Sequence, residues 1–345
     1  MNEHLESTRV SSSRRRQKKQ KFKKGLKISA SILIGVLLFS AGFVYAYMKS
    51  TYDEVEFVEI PKDNDNLGIE EEEEEIVNIF KDNPSIINIL LLGIDKRDKS
   101  DPGRSDAMMI LSIDPKSNQI KLSSIMRDSL VEIKDHGDDK LNHAYAFGGP
   151  ELALHTVNSN YKMNIKYFAS INYGGLTNII DSVGGIYATV KEDEIDMLNT
   201  YISDVAFVEK TDFNMITKPG YQLLDGTQAV AYARIRKVGD GDYERTERQR
   251  TVLSGIIRKL TTLSVLELPG TIKKLAPNVE TNITSSYMLK VGTSIINTGM
   301  REIKQARFPL NEHSEGKMIK GTWYLTFDKY KTVDTLHDFI FKTKQ

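Results

Sequence analysis

A run of 21 residues without a charged side chain, Ile28 to Met48, constrains this chain more than any other feature. A helix needs about 20 apolar residues to cross the core of a bilayer, and this run is long enough. A cleavable signal peptide is the alternative, but its apolar region is usually shorter, and residues 42–48 offer no small-x-small cleavage site. The run therefore predicts an uncleaved transmembrane signal anchor at residues 28–48.

The charges around this run predict its orientation. Residues 1–27 carry ten lysines and arginines against Glu3 and Glu6 and show no apolar period, which is typical of a basic tail. The positive-inside rule places this tail in the cytoplasm and the rest of the chain outside. We therefore expect a single-pass, type II protein of the cell membrane whose large domain is extracellular.

Composition limits what the exported part can be. Since the net charge of the chain is +0 and the tail is basic, the exported part must be acidic, which argues against nucleic acid as a partner. The chain has no cysteine, so disulfides cannot stabilise it and an apolar core must. Residues 49–85, with six consecutive glutamates, are predicted to be an acidic extracellular linker, and residues 86–345 a single domain.

Strand and helix patterns alternate from Ile86 onward. Strands are predicted at Ile86–Asp95, Ala107–Asp114, Ile120–Met126, Lys166–Ile171, Gly185–Val190 and Thr322–Phe327. Helices are predicted at Pro150–Tyr161, Gly174–Val183, from Leu224–Thr227 into Arg234, and at Asp242–Leu260, Ser285–Thr298 and Lys331–Lys342. The turn residues 115–118 should join the second and third strands as a hairpin. This alternation favours an α/β sandwich.

Charged residues stand at the predicted strand ends, where α/β proteins bind ligands. Asp95 ends the first strand and Arg104-Ser105-Asp106 precedes the second, so the two carboxylates could form a hard oxygen site suited to Mg²⁺. Arg127 ends the third strand. A turn or capping role for the aspartates and a structural salt bridge at Arg127 are the alternatives.

The densest group of cations lies between Arg234 and Arg250, which contains five arginines and one lysine. In a helix that begins near Asp242, Asp242, Arg245 and Gln249 fall on one face, with Arg248 beside them. Guanidinium groups match phosphate oxygens, and a helix N-terminus adds unpaired N–H groups. The alternative is a solvated helix with pairs of glutamate and arginine.

Six motifs together resemble the LytR-CpsA-Psr family of Gram-positive cell envelopes. They are GID at 93–95, RSD at 104–106, SIMRD at 124–128, KLNHAYAFGG at 140–149, LDGTQAVAYARIRK at 224–237 and DxxRxxRQ at 242–249. The motifs occur in the family's order across residues 86–260, and the family has the same tail, span and exported domain. Met126 is a departure, because the family often has proline before Arg-Asp.

The resemblance implies an α/β/α fold with a mixed β-sheet and a transferase activity. Such a protein transfers an anionic glycopolymer, such as wall teichoic acid, from polyprenyl pyrophosphate to peptidoglycan through a phosphodiester. The resemblance implies that Asp95 and Asp106 hold Mg²⁺ and that Asp242 orients the arginines. Pyrophosphate contacts are implied for Arg104, Arg127, Arg234, Arg236, Arg245, Arg248 and Gln249.

The expected chemistry is phosphoryl transfer, in which arginines and Mg²⁺ stabilise the charge on the leaving polyprenyl phosphate. Asp95, Arg127 and Arg245 are the candidate catalytic residues, with Asp95 a possible base for the acceptor hydroxyl. The lipid tail would need an apolar tunnel between sheet and helices, and an ordinary core is the alternative for the apolar residues of the exported domain. A phosphatase or pyrophosphatase that uses water is one alternative, and a non-enzymatic envelope regulator, described for some relatives as a transcription attenuator, is the other. The sequence predicts neither the polymer nor the oligomeric state.

Overall fold

Strands and helices alternate in the computed structural model, which describes residues 56–96, 103–300 and 302–342. The strands are β1 (Glu56–Phe57), β2 (Ile87–Asp95), β3 (Arg104–Asp114), β4 (Gln119–Ile125), β5 (Leu130–Ile133), β6 (Gly137–Lys140), β7 (Tyr167–Asn172), β8 (Ile186–Val190), β9 (Gly220–Leu224), β10 (Glu280–Thr281), β11 (Glu302–Phe308), β12 (Ser314–Ile319) and β13 (Thr322–Phe327). The helices are α1 (Glu74–Asp82), α2 (His143–Tyr161), α3 (Tyr173–Ser182), α4 (Ile195–Glu209), α5 (Gly226–Arg234), α6 (Asp242–Leu260), α7 (Leu268–Leu275), α8 (Ser285–Thr298) and α9 (Lys329–Phe341).

The central sheet has seven strands in the order β1-β10-β7-β2-β3-β4-β11. β2, β3 and β4 are antiparallel neighbours, and β3 and β4 form the predicted hairpin. β7 runs parallel to β2, and β11 runs parallel to β4. The predicted α/β fold with a mixed sheet is therefore confirmed.

Both faces of the central strands are apolar because their side chains alternate between two cores. Leu90 and Leu92 of β2 pack on one face with residues of α2 and α9. Ile89 and Leu91 point to the other face and pack with residues of α6 and α8. The sheet consequently lies between helices, and the ends of β2, β3 and β4 are left to carry polar groups.

A third core surrounds the ribbon of β8 and β9 and the helices α3 to α6. Asp225 caps α5, because its side chain accepts a hydrogen bond from the Gln228 N–H at 2.8 Å, and Oε1 of Gln228 accepts one from the Asp225 N–H at 3.1 Å. Such a capping box fixes where a helix begins. As a result α5 ends at Arg234, and the chain turns through Gly239 and Gly241, both with positive φ, into α6.

The predicted linker at residues 49–85 is wrong from residue 56 onward. Glu56–Phe57 pairs with β10, Ile60 and Leu67 are buried in the core, and Glu74–Asp82 is a helix. Two of the glutamates that suggested a repelling spacer are neutralised, since Lys162 Nζ lies 2.8 Å from Glu70 and 2.7 Å from Glu73. The domain therefore includes most of this acidic segment.

The predicted tail and the transmembrane anchor at residues 28–48 lie outside the described residues. Within the described part of the chain, none of the helices has the length and apolar character that crossing a membrane requires.

Candidate active site

The first residue of α6, Asp242, ties three arginines together. Its carboxylate accepts a hydrogen bond from Arg127 Nε at 3.2 Å and from Arg245 at 2.9 Å, and it lies 2.7 Å from Nε of Arg236. An aspartate in the first turn of a helix is stabilised by the unpaired N–H groups there. One carboxylate thus holds guanidinium groups from the end of β4, from the loop before α6 and from α6 itself. We call Arg127, Arg236 and Arg245 the arginine cluster.

Arg127 connects this cluster to the strand ends. One of its terminal nitrogens lies 2.5 Å from Oδ1 of Asp106. Burial would lower the pKa of Arg127, but the carboxylates of Asp106, Asp242 and Asp128 outweigh it and raise the pKa above its ordinary value. The guanidinium is therefore permanently charged and oriented by carboxylates on several sides.

Carboxylates neutralise the positive charge of Arg245 less completely than that of Arg127. Burial lowers its pKa, and the positive charge of Arg127 lowers it further, against the carboxylates of Asp242 and Asp106. Among the described residues, Nε of Arg245 has no hydrogen bond partner although it is buried. A buried cation with an unmet donor is costly, and an anionic ligand would satisfy it.

Asp106 occupies an irregular position in the sheet. The register of β2 and β3 pairs Gly93 with Ala107 and Ile94 with Ser105, so Asp106 is the extra residue of a β-bulge. Bulges redirect side chains near the ends of strands. One pair further along, Asp95 stands opposite Arg104, and both are exposed. The two predicted carboxylates therefore share one end of the β2–β3 ladder.

Tyr173 lies close enough to both the carboxylates and the arginines for their charges to change its pKa. Burial raises the pKa of Tyr173 to about 12, the carboxylates of Asp106 and Asp95 add to the rise, and Arg234 and Arg245 oppose it. The Arg234 guanidinium lies 5.1 Å from the Tyr173 ring centroid. All four predicted residues consequently lie within electrostatic range of one phenol. The structure brings the strand-end aspartates and the arginines of α5 and α6 to one place.

One apolar cavity begins at this place, and a second adjoins the first. The first, of about 220 Å³, is lined at its polar end by Asp106, Tyr173 and Gln249. The second, of about 340 Å³, lies between the sheet and the helices α6, α7 and α8. They share walls formed by Leu91, Ala169, Ile179, Ile256 and Val279. We call the two together the apolar tunnel.

Gln249 stands where the tunnel meets the charged groups. Its Oε1 is buried and has no hydrogen bond partner among the residues that the structure describes. A buried amide oxygen without a partner is unusual in a folded protein unless a ligand or water supplies one. The predicted placement of Asp242, Arg245 and Gln249 on one face of α6 agrees with these positions.

The arrangement is an apolar tunnel whose polar end adjoins the arginine cluster through Asp106, and a model of the LytR_cpsA_psr family matches residues 47–338 of this chain.

The chain belongs to the LytR-CpsA-Psr family.

Several relatives in this family have names or bound ligands that bear on the site. The polyisoprenyl-teichoic acid–peptidoglycan teichoic acid transferase TagU of Bacillus mycoides (strain KBAB4) is 34% identical over 300 residues, which cover 85% of this chain and 89% of TagU. A structure of TagT bound to LI-WTA superposes with a TM-score of 0.60 at 26% identity, covering 74% of this chain and 89% of TagT. TagT with bound octaprenyl pyrophosphate lipid gives a TM-score of 0.56 at 25% identity over 75% and 91% of the two chains.

In this LytR-CpsA-Psr protein, the prediction for Arg248 is wrong. Its guanidinium points away from the arginine cluster, with Nε 2.8 Å from Glu194 and a terminal nitrogen 2.6 Å from Glu244, and it also donates to the Ile235 carbonyl at 3.2 Å. Glu194 is 1% exposed. Because each of its three nitrogens has an acceptor and its side chain is only 3% exposed, Arg248 stabilises the fold around α6 and does not face the site.

Tyr173 and Asp128 are site residues to which the sequence motifs gave no role. Tyr173 directly follows β7, and its position after a buried strand was the signal that could have drawn attention to it. Asp128 is buried, lies 3.5 Å from Arg127 and accepts a hydrogen bond from Lys140 at 2.8 Å. The sequence did not indicate that Asp128 pairs with Lys140, because the β5–β6 hairpin that brings them together was not predicted.

Proposed function

We propose that this protein transfers an anionic glycopolymer, such as wall teichoic acid, from a polyprenyl pyrophosphate carrier to peptidoglycan and forms a phosphodiester. The observation that carries this proposal is the junction of an apolar tunnel with the arginine cluster. A ligand that matches both parts must combine a long apolar tail with a compact, strongly anionic group. The names of the curated relatives and the lipid bound in TagT support the same class of substrate.

The apolar tunnel fits the lipid part of this substrate. Its walls come from alternate residues of β2 and from α6, α7 and α8. The two cavities that form it have volumes of about 220 Å³ and 340 Å³. Burial of a polyprenyl chain would contribute about 25 cal/mol per Å² of apolar surface removed from water. Because the lipid tail binds away from the reacting atoms, its binding energy would hold the pyrophosphate at the polar end of the tunnel.

The pyrophosphate would lie against the arginine cluster. Arg127 and Arg245 are both mostly shielded from solvent and both pair with Asp242, and Arg127 also contacts Asp106 of the tunnel wall, so we assign them the principal contacts. Arg104, Arg234 and Arg236 would supply further charge from the rim, and Gln249 would face the ligand from α6. Asp242 would orient the guanidinium groups before the substrate arrives, which reduces the reorganisation needed during the reaction.

Asp95 and Asp106 fit a magnesium ion. Among the described residues no group of three or more His, Cys, Asp or Glu side chains is placed to hold a metal. Mg²⁺ does not need such a group, because it commonly uses one or two carboxylates and completes its shell with water and phosphate oxygens. When bound, the ion would help to neutralise the charge of the pyrophosphate. The carboxylates would hold it beside Arg127, which already contacts Asp106.

In the proposed reaction the acceptor hydroxyl oxygen bonds to the phosphorus that carries the polymer. The bond from that phosphorus to the bridging oxygen breaks, and polyprenyl phosphate leaves with the electron pair. Arg127 and Arg245 stabilise the negative charge that develops on this leaving group. The hydroxyl proton passes to a carboxylate, for which we propose the oxygen of Asp95 that the ion leaves free, because Asp95 is exposed at the end of β2.

We also propose that the uncharged run at residues 28–48 anchors the protein in the cell membrane, with the catalytic domain outside. This orientation places the tunnel in the compartment that contains peptidoglycan. It would also tether the domain to the membrane in which the polyprenyl carrier resides.

The test uses the full-length protein in detergent micelles with a lipid-linked polymer donor and peptidoglycan acceptor. Arg127→Gln and Arg245→Gln should each lower polymer transfer by about 10²–10³-fold, the loss typical when one group that stabilises transition-state charge is removed. Arg258→Gln is the matched control, because Arg258 lies exposed near the other end of the same helix. Circular dichroism checks that each variant is folded.

Omitting the acceptor separates transfer from hydrolysis. A transferase should release little polyprenyl phosphate without peptidoglycan, whereas a pyrophosphatase would release it at the same rate. Transfer by either cluster variant at the wild-type rate would refute the assigned roles of Arg127 and Arg245.

A further inference from the structure

A polar cleft of about 460 Å³ adjoins the arginine cluster and shares no lining residue with the apolar tunnel. Its walls include Asp128, Arg236, Lys237, Asp242, Tyr243 and Trp323. We call it the polar cleft. Unlike the tunnel, it offers charged and hydrogen-bonding groups together with two aromatic rings.

Arg127 lies between the tunnel and the polar cleft. It contacts Asp106, which lines the tunnel, and Asp242 and Asp128, which line the cleft. A pyrophosphate held by Arg127 would therefore have the tunnel on one side and the cleft on another. In a phosphoryl transfer the attacking and leaving oxygens lie roughly in line through the phosphorus. Since the leaving oxygen belongs to the lipid phosphate in the tunnel, the attacking oxygen approaches from the side away from the tunnel.

Trp323 is held at the cleft by its surroundings. It lies on β13, and the N–H of Leu325 on the same strand donates to the Asp128 carbonyl at 2.9 Å. The indole covers Gly316 of the paired strand, where a Cβ atom would lie only 2.9 Å from Nε1. Lys140 Nζ is 6.0 Å from the ring centroid. The glycine therefore leaves room for the ring, and the strand pairing keeps it beside Asp128.

The partial exposure of Trp323 leaves its indole ring available to a ligand in the polar cleft. The side chain remains 41% exposed although it is anchored in a hairpin. Tyr243 offers a second ring, backed by the Arg307 guanidinium at 4.1 Å from its centroid. Aromatic faces that stand among carboxylates and cations suit pyranose rings, which stack their C–H groups on the ring and direct hydroxyls to charged partners.

We propose that the polar cleft binds the acceptor sugars of peptidoglycan, with Trp323 as the stacking platform that presents a sugar hydroxyl to the pyrophosphate. Arg236 and Lys237 would donate hydrogen bonds to the oxygens of the glycan. This inference rests on the proposed transferase function and adds to it the location of the acceptor. The sugars of the donor polymer have similar chemistry, so the experiment must distinguish the two sources.

Trp323 is the only tryptophan of the chain, so its fluorescence reports directly on the cleft. Full-length protein in detergent is titrated with a soluble tetrasaccharide of alternating N-acetylglucosamine and N-acetylmuramic acid, with excitation where tyrosine does not absorb. The proposal requires a saturable change in emission. No change with the tetrasaccharide overturns it, whether or not a lipid-linked donor changes the emission. The titration needs no turnover, so a wild-type protein that binds the glycan but transfers no polymer would count against the proposed function alone.

Kinetics of variants provide the second readout. Trp323→Ala should raise the KM for the tetrasaccharide acceptor by about tenfold or more, as loss of a central aromatic contact commonly does, and should leave the KM for the donor unchanged. Trp323→Phe keeps an aromatic ring and should restore most of the affinity. Tyr330→Ala is the control, because Tyr330 is 85% exposed and lies on α9. An unchanged acceptor KM in Trp323→Ala, or a change confined to the donor KM, would overturn the proposal.

Discussion

Replacing Asp242 by asparagine should destabilise the protein in a way that an anion can reverse. The carboxylate holds Arg127 and Arg245, whose side chains are only 14% and 9% exposed, and the more exposed Arg236. Asparagine keeps the shape but removes the negative charge that these three guanidinium groups share. The repulsion among them then becomes uncompensated.

The contacts of Asp242 determine how much stability Asp242→Asn should lose. Hydrogen bonds to charged groups contribute about 1.5–3 kcal/mol each, and we take the lower value for Arg127 and Arg245 because both pairs are partly solvated. The Arg236 side chain is 54% exposed, so its pair should contribute less than about 1 kcal/mol after screening by solvent. Asp242→Asn should therefore lower the free energy of unfolding by about 3 kcal/mol, which corresponds to a fall in Tm of about 6 °C for a domain of this size.

Thermal unfolding followed by circular dichroism, with and without inorganic pyrophosphate, is the assay. Pyrophosphate can take the place of the missing carboxylate among the arginines, so saturating pyrophosphate should remove at least about half of the deficit. Asp338→Asn is the matched control. Asp338 pairs with Lys342 at 2.5 Å, but both side chains are more than half exposed, and surface pairs of this kind contribute about 0–1 kcal/mol. A deficit no larger than that of the control, or one that pyrophosphate leaves unchanged, would refute the idea that Asp242 substitutes for a ligand charge.

Three further predictions address the tunnel, the misassigned arginine and the pH dependence. Ala169→Phe should fill the wall shared by the two cavities and weaken binding of a polyprenyl pyrophosphate by at least about tenfold while leaving inorganic pyrophosphate binding unchanged, as calorimetry with both ligands would show. Arg248→Met should cost about 3–5 kcal/mol of stability in urea unfolding, because Glu194 loses its buried partner, and Glu194→Leu in the same chain should restore much of it. Burial lowers the pKa of His337, so its neutral form stabilises the fold above the unfolded pKa of about 6.5, and this contribution is lost as the pH falls through the folded pKa. The fall in Tm on acidification should accordingly be smaller in His337→Gln than in the wild type, and equal falls would contradict the assignment.

The sequence predicted the elements whose patterns are locally strong. Asp242–Leu260, Ser285–Thr298 and Thr322–Phe327 have the predicted bounds, and the hairpin of β3 and β4 follows from its turn residues. Short strands with weak patterns were missed, among them β5, β6 and β12. The acidic segment before Ile86 was misread because its glutamates suggested repulsion. Its buried Ile60 and Leu67, and the distant Lys162 that neutralises Glu70, are visible only in the folded chain.

The sequence could predict which residues belong to the site, but not how they are arranged in space. Strand ends, the last residue of α5 and the start of α6 converge at one end of the sheet. This convergence brings together around Tyr173 and Asp242 the residues Asp95, Asp106, Arg127, Arg234 and Arg245. Helical spacing placed Asp242, Arg245 and Gln249 on one face of α6. No local pattern could place the polar cleft, because its walls combine the loop before α6 with a hairpin about eighty residues further along the chain.

Arg245 and Arg248 show what separates a binding arginine from a structural one. Each has an acidic residue one turn earlier in α6, Asp242 for Arg245 and Glu244 for Arg248, so local pairing does not distinguish them. The difference arises from the rest of the fold. Arg248 meets the buried Glu194 as well, and its nitrogens are satisfied. Arg245 shares its one carboxylate with two other guanidinium groups and keeps a buried Nε without a partner among the described residues. A buried cation whose hydrogen bonds are complete stabilises the folded chain, whereas one that lacks an acceptor gains most from a ligand that supplies it. We therefore expect the ratio of carboxylates to arginines to determine where on α6 an anion binds. The tunnel and the polar cleft, both in contact with partners of Arg127, fit an anion that carries an apolar tail and reacts with a polar acceptor.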